Sequence, residues 1–381
     1  VPLTQDQVVD ALRGVEDPEL HRSIVDLGML RRVDIAADNS VSVLVALTVP
    51  GCPLKAEIER RVATAVAALP GAGPTRLEFT VMSDEERAAL RERLHGNPAA
   101  TAGQGPAHGH AQGREIPFAK AGSRTRPLLI ASGKGGVGKS SVTTNLAVAL
   151  AQRGRKVGVV DADIYGFSIP RMLGADRDPV VIDSMLLPPE AWGVRCISIG
   201  YFVPDKQAVI WRGPMLHKAL EQFLTDVYWD EPDYLLVDMP PGTGDIAISL
   251  SQYLPRGEVY IVTTPQPAAQ KVARMSAYMS EKVHLEVKGV IENMSWFTGD
   301  DGTQYRIFGE GGGAELAEEL GVPLLAQLPL VPALREGGDE GRPITAVAPD
   351  SEPARAFAEL ARVIDEDLKP KKRFRPELTI S

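Results

Sequence analysis

Several stretches of the chain are apolar without a polar break and end in a polar or acidic residue. Tyr234–Asp238 reads Tyr-Leu-Leu-Val-Asp, and Leu128–Ser132, Val157–Asp161 and Val259–Thr263 follow the same form; Val194–Ile199, Val287–Glu292 and Leu324–Leu328 are further strand candidates, mostly apolar with polar residues inside. Runs of this kind predict strands covered on both faces, as in a parallel sheet. Between them lie segments with helical spacing: Lys139–Arg153, with Val142, Leu146, Ala149 and Leu150 on its apolar positions, then Met215–Val227 and Ala268–Val283. Strands alternating with helices predict a doubly wound, mostly parallel α/β sheet over residues 125–381. A ligand of such a sheet belongs at the carboxyl ends of its strands.

The first 95 residues have a different rhythm. Leu3–Gly14 is helical in spacing. Met29–Ala36 and Val41–Leu47 predict strands joined at Ala37-Asp38-Asn39-Ser40, whose residue types suit a hairpin turn. Pro53–Leu69 places Leu54, Ile58, Val62, Ala65 and Val66 on one side of a helix. Thr75–Met82 predicts a third strand, and Ser83 with Glu86 forms a capping box for a helix to about Leu94. This is a small α+β domain. Residues 96–124 are rich in Gly, Ala, Pro and polar residues without periodicity and predict a flexible linker. His108 and His110 within it lack further ligands, so a solvated linker is expected there rather than a metal site.

Composition narrows the classes. With 381 residues, 44% of them hydrophobic, the chain is long enough for one large and one small domain. A net charge of -9 argues against nucleic acid as the main partner. Two cysteines, Cys52 and Cys196, make no disulfide framework and suit a reducing compartment. The first residues do not have the pattern of a signal peptide, and no apolar run is long enough to span a bilayer, so a cytoplasmic protein without a membrane partner is expected.

The chemistry concentrates at Gly133-Lys-Gly-Gly-Val-Gly-Lys-Ser140, which fits the phosphate-cradling pattern G-x-x-x-x-G-K-[ST] between a predicted strand and a predicted helix. Phosphates then rest on the free N–H groups of the helix. Gly133, Lys134, Gly135, Gly136, Val137, Gly138, Lys139, Ser140 and Ser141 form the expected nucleotide-binding segment. Lys139 is expected to reach the β- and γ-phosphates and Ser140 to ligate Mg²⁺. Asp238, ending its strand, suits the Mg²⁺ site opposite Ser140, and Gly242 just beyond it can offer an N–H to a γ-phosphate. Val157–Asp161 ends in Asp161-Ala-Asp163. Asp163, further into the loop, is the better placed to orient an attacking water, a solvated turn being the alternative. Asn293 either reads an adenine edge or caps the following turn, and spacing leaves both open.

With these residues in place, the second region resembles the deviant-Walker ATPases, a group that includes MinD, ParA and the nitrogenase iron protein. The resemblance implies that Lys134 crosses a homodimer interface to the partner's phosphates, and that Asp163 lies in switch I and Asp238–Gly242 in switch II. Asp161-Ala-Asp-Ile-Tyr-Gly-Phe-Ser-Ile-Pro170, Trp211-Arg-Gly-Pro-Met215, Asp238-Met-Pro-Pro-Gly-Thr-Gly-Asp245, Thr263-Thr-Pro-Gln266, Glu292-Asn-Met-Ser295 and Ile307-Phe-Gly-Glu-Gly-Gly312 are similar to the Mrp (ApbC-like) branch. Gly14-Val-Glu-Asp-Pro-Glu19, Ile24-Val-Asp-Leu-Gly28 and Thr48-Val-Pro-Gly-Cys-Pro-Leu54 resemble the SufT-like domain often fused ahead of it. The resemblance implies an ATP-hydrolysing carrier or scaffold for iron–sulfur clusters, with ATP and Mg²⁺ as cofactors and apo iron–sulfur proteins as clients.

One departure stands out. Many Mrp proteins carry a C-x-x-C pair between the Glu-Asn-Met-Ser and Ile-Phe-Gly motifs, where cysteines of two subunits hold a bridging [4Fe–4S] cluster. Here Trp296–Arg306 contains no cysteine. Cys52, in Gly51-Cys52-Pro53 ahead of a predicted helix, is the candidate cluster thiol, because a helix N-terminus favours the thiolate. A buried structural cysteine is the other reading. Cys196 is expected in the core. The rival function is an ATP-driven positioning switch of the MinD or ParA kind. Against it, the apolar stripe of Pro353–Leu368 (Phe357, Leu360, Ala361, Ile364, Leu368) is flanked by acidic residues and is expected to pack on its own domain rather than on a membrane. The basic tail Lys369–Arg375 is expected to be solvated.

Overall fold

The computed structural model describes residues 3–49, 54–95, 116–120, 122–163, 166–203, 213–242 and 245–368. They form two compact units. In the first, helix α1 (Gln5–Arg13) begins at the capping box of Thr4 and Gln7. Strands β1 (Leu30–Ile35) and β2 (Val41–Leu47) pair antiparallel across the Asp38–Asn39 turn. Asn39 takes φ 60° there, and Asp38 accepts from the Ser40 N–H and hydroxyl. Helix α2 (Lys55–Ala67) then crosses over, so β3 (Thr75–Val81) joins β2 in parallel. Helix α3 (Asp84–His95) starts at the reciprocal Ser83–Glu86 bonds.

The second unit opens with β4 (Arg126–Ser132), α4 (Lys139–Gln152), β5 (Val157–Asp161) and the short α5 (Ile169–Leu173). The hairpin of β6 (Val180–Ile182) and β7 (Met185–Leu187) follows in the chain but belongs to the first unit, as does 226–228. Backbone bonds from Leu186 to Asp226 and from Tyr228 to Leu186 tie these pieces together, and Ile182, Met185, Leu187 and Tyr228 share the core of Val8, Val43 and Val62. A first domain confined to residues 1–95 was the expectation from sequence; a compact core assembled from three chain segments cannot be seen in local periodicity.

The remaining elements are β8 (Glu190–Ala191), β9 (Val194–Ser198), α6 (Gly213–Thr225), β10 (Tyr234–Asp238), α7 (Asp245–Tyr253), β11 (Glu258–Thr263), α8 (Pro267–Lys282), β12 (Glu286–Glu292), the small pair β13 (Phe297–Thr298) and β14 (Gln304–Tyr305), α9 (Gly312–Leu320), β15 (Leu324–Gln327), α10 (Pro332–Glu340), α11 (Ile344–Val347) and α12 (Glu352–Arg362). The sheet order is β15-β12-β11-β4-β10-β5-β9-β8, parallel throughout except for β8 on β9. Strands β4, β5, β9, β10 and β11 are buried along their whole length, including Arg126 at the start of β4 and Arg195 within β9, whose charges are paired with Glu258 and Glu190. The architecture is the expected doubly wound α/β sheet with a small α+β unit ahead of it.

Two local expectations shift. Ile116 and Phe118 are buried and Pro117–Ala119 forms a 3₁₀ turn, so the end of the expected linker is packed structure. The β9 strand stops at Ser198 because its hydroxyl accepts from the Gly200 N–H and starts a 3₁₀ turn. The cysteine-free stretch 296–306 closes on itself as the β13–β14 pair: the Asp301 carboxylate accepts from Thr303, and the Arg306 guanidinium lies over the Trp296 ring. The C-terminal stripe packs as expected. Phe357, Leu360, Ala361 and Ile364 are buried in the core that also holds Val142, Leu146 and Leu150 of α4.

Candidate nucleotide site

Register places three strand ends together. Asp238 ends β10 beside Asp161 of β5 on one side and Ile130 of β4 on the other. From β4 the chain passes through the glycine loop into α4. Gly136 and Gly138 have φ of 82° and 81°, a region that costs other residues strain. Gly138 caps α4 without any side-chain bond to the helix, which leaves the first N–H groups of α4 turned toward the loop. Gly133 lies against the backbone of α8: a Cβ there would come within 2.2 Å of Ala273 N and Val272 C.

The side chains converge on Asp238, which is fully buried. Lys139 Nζ donates to Asp238 Oδ2 at 2.7 Å, Ser140 Oγ donates to the same oxygen at 2.6 Å, and Thr143 Oγ1 donates to Oδ1 at 2.7 Å. Asp163 Oδ2 faces Lys139 Nζ at 3.6 Å. One buried lysine therefore stands between two carboxylates. A hydroxyl and a carboxylate this close, beside a bed for phosphate oxygens, are hard oxygen donors of the kind Mg²⁺ takes. Lys139 and Ser140 are both held by Asp238.

The other expected residues fall around this centre. Gly242 has φ 98°, and its N–H donates to Ser132 O at 2.9 Å while its carbonyl accepts from Ser276 Oγ at 3.0 Å. Contact of this N–H with a γ-phosphate would require it to leave Ser132. Asn293 neither caps the next turn nor faces solvent. Its Nδ2 donates to Val137 O at 2.9 Å and would meet a Cβ on Gly138 at 2.2 Å, while its buried Oδ1 has no partner among the described residues. Lys134 is half-buried, and its side chain has no partner among the described residues. Cys52 lies outside the described residues, as do His108, His110, Trp211 and the tail 369–381. Cys196 is buried in β9, and burial pushes its thiol well above the ordinary range, so it is a core residue. Among the described residues no group of three His, Cys, Asp or Glu is arranged to hold a metal ion.

Sequence reasoning missed Thr143, Ser276 and Glu292. Thr143 had a signal, since it follows Lys139 by four positions and so shares its helix face. Ser276 had none. Glu292 is buried and accepts from Gly313 N, Ser295 Oγ and Gln327 Nε2, fastening the start of α9 to the end of β12.

A parallel sheet with a glycine loop at its centre, a buried lysine and a strand-end aspartate define a P-loop NTPase. The model of the NUBPL iron-transfer P-loop NTPases matches residues 124–365, and a model described as an iron–sulfur cluster assembly protein matches residues 5–78. The chain belongs to the NUBPL iron-transfer P-loop NTPase family. It is 48% identical over 364 residues to an iron–sulfur cluster carrier protein of Mycobacterium leprae, covering 94% of this chain and 91% of the relative. It is 41% identical to a protein of the same name from Synechocystis, covering 95% and 97%. A nucleotide-binding protein from Archaeoglobus fulgidus, solved with ADP, superposes with a TM-score of 0.51 at 34% identity, over 57% of this chain and 88% of that one. Among the described residues no helix is long and apolar enough to cross a membrane.

Proposed function

We propose that this protein binds and hydrolyses ATP with Mg²⁺ and carries iron–sulfur clusters to apoproteins, working as a homodimer in the cytoplasm. The observation that carries the nucleotide half is the meeting of Lys139, Ser140 and Asp238 on one buried carboxylate beside the glycine loop. Lys139 exchanges Asp238 for the β- and γ-phosphates. Ser140 and Asp238 would hold Mg²⁺, which when bound would neutralise charge building on the phosphate oxygens. Asp163 orients the attacking water next to Lys139, and Asn293 offers its unpartnered Oδ1 to the adenine amino group. The carrier half is supported by the names of the relatives and by the model matched to the first unit.

Lys134, whose side chain has no partner among the described residues, is read as the residue that reaches the other subunit's phosphates. Lys134→Ala is expected to lose hydrolysis while keeping most nucleotide binding. Mixing it with Lys139→Ala subunits tests the shared site. Heterodimers should regain part of the activity, whereas dead mixtures that stay monomeric with ATP in light scattering would rule out the sandwich.

Clusters are ordinarily held by cysteine thiolates. Cys196 is buried within the sheet, so Cys52 is the thiol proposed for the cargo. One thiolate per chain cannot complete a cluster; the others must come from a second subunit, a client or a small thiol. Anaerobic reconstitution of the full chain is expected to give less than one cluster per dimer, and Cys52→Ala essentially none. Iron and sulfide analysis decides, and a full cluster in Cys52→Ala would move the cargo site elsewhere.

A further inference from the structure

Asp161 ends β5 and is buried, yet it holds neither Lys139 nor a P-loop hydroxyl. Its carboxylate accepts three bonds instead. Oδ1 takes the N–H of Asp163 at 3.2 Å, and Oδ2 takes the N–H of Ile169 at 3.3 Å and the hydroxyl of Ser198 at 3.1 Å. Asp163 begins the loop that leads to α5, and Ile169 is the first residue of α5. One side chain therefore fastens both ends of that loop, and Ser198 at the end of β9 fastens the side chain. The exit from β5 has a further tie, from Ala162 N to Asp238 O at 3.0 Å.

We propose that Asp161 is a positioning residue for hydrolysis, holding Asp163 at its distance from Lys139 through its bonds to Asp163 N and Ile169 N, with Ser198 as its anchor. The inference rests on the reading of Asp163 as the residue that orients the attacking water. The geometry selects Asp161 over a general packing role because all three donors belong to the loop ends or to the neighbouring strand end. A displacement of a catalytic group by about 1 Å can cost on the order of 100-fold in rate, so a restraint on Asp163 matters more to turnover than to binding.

Burial and then the negative charge of Asp238 push the Asp161 carboxyl well above its ordinary range. A neutral isostere relieves that crowding, which offsets the bond it loses, so Asp161→Asn is expected to fold and to melt close to wild type. It keeps an acceptor for one loop end but sets an amide donor against the other. In the full chain, measured by phosphate release, its kcat should fall at least about tenfold, with KM and the affinity for a fluorescent ADP analogue within about twofold. Ser198→Ala should show the same split, about threefold in kcat, and Ser198→Thr should restore it. Because Asp161 acts through Asp163, Asp161→Asn/Asp163→Asn should hydrolyse no more slowly than Asp163→Asn alone.

An unchanged kcat in Asp161→Asn overturns the inference. So does a loss of kcat matched by equal losses of affinity and melting temperature, or an additive double variant. If Asp161→Asn fails to fold, the Ser198 pair decides by the same split. An Asp163→Asn protein as active as wild type, or an inactive wild type, would sink the underlying reading and the positioning role with it. An unchanged Asp161→Asn beside a dead Asp163→Asn sinks the positioning role alone.

Discussion

Lys139→Ala is expected to abolish ATP hydrolysis and to destabilise the second unit as well. The activity follows from charge, because the phosphates lose the cation that compensates them. Removing one such preorganised donor typically costs about 100- to 1,000-fold in rate. The stability loss follows from burial. Lys139 is the cation between Asp238 and Asp163, and Asp238 is closed to solvent. Deleting one partner of a buried pair leaves the other uncompensated, at a cost of roughly 3–5 kcal/mol. In a domain of this size that lowers the melting temperature by on the order of 10 °C. Ser140 and Thr143 still donate to Asp238, so the fold should survive. Lys139→Ala/Asp238→Asn should recover much of the melting temperature and none of the hydrolysis. Phosphate release and thermal unfolding separate the two effects, and wild-type hydrolysis in Lys139→Ala would remove this site from consideration.

Gly133→Ala is expected to be nearly as damaging, for a steric reason. Its Cβ would sit 2.2 Å from two backbone atoms of α8, and backbone in the middle of a helix cannot swing aside as a side chain can. Either the helix moves off the sheet or the loop lifts out of its bed. Overpacking of this kind costs roughly 1–3 kcal/mol or more, and a lifted loop no longer aims its N–H groups at phosphate. Ser276 of the same helix bonds the Gly242 carbonyl, so a displaced α8 also disturbs the segment that follows Asp238. Gly135 is the control. A Cβ there meets nothing within 4 Å, and Gly135→Ala should unfold at the wild-type temperature. Equal nucleotide affinity in Gly133→Ala and wild type would show that the loop and α8 yield to each other more easily than this packing allows.

The sequence by itself determined the class of the fold and the identity of the phosphate loop. Strands buried on both faces are apolar at most positions, so β4, β5, β10 and β11 announce themselves as runs, while β9 carries the buried Arg195 within it. A glycine loop must be continuous to wrap a phosphate, so its residues stand side by side. The hairpin at Asp38–Asn39 and the capping box at Ser83 were equally local. Tertiary structure decided the rest, because it depends on residues far apart in the chain. Thr143 meets Asp238 across 95 positions, and Asn293 meets Val137 across 156. Asp161 and Asp163 differ in sequence only in how far each stands into the loop. Only the register of β5 between β9 and β10 turns the first inward to hold the loop and leaves the second facing Lys139. Local pattern reports how a residue relates to its own helix or strand, and it carries no record of which strand end will lie beside it.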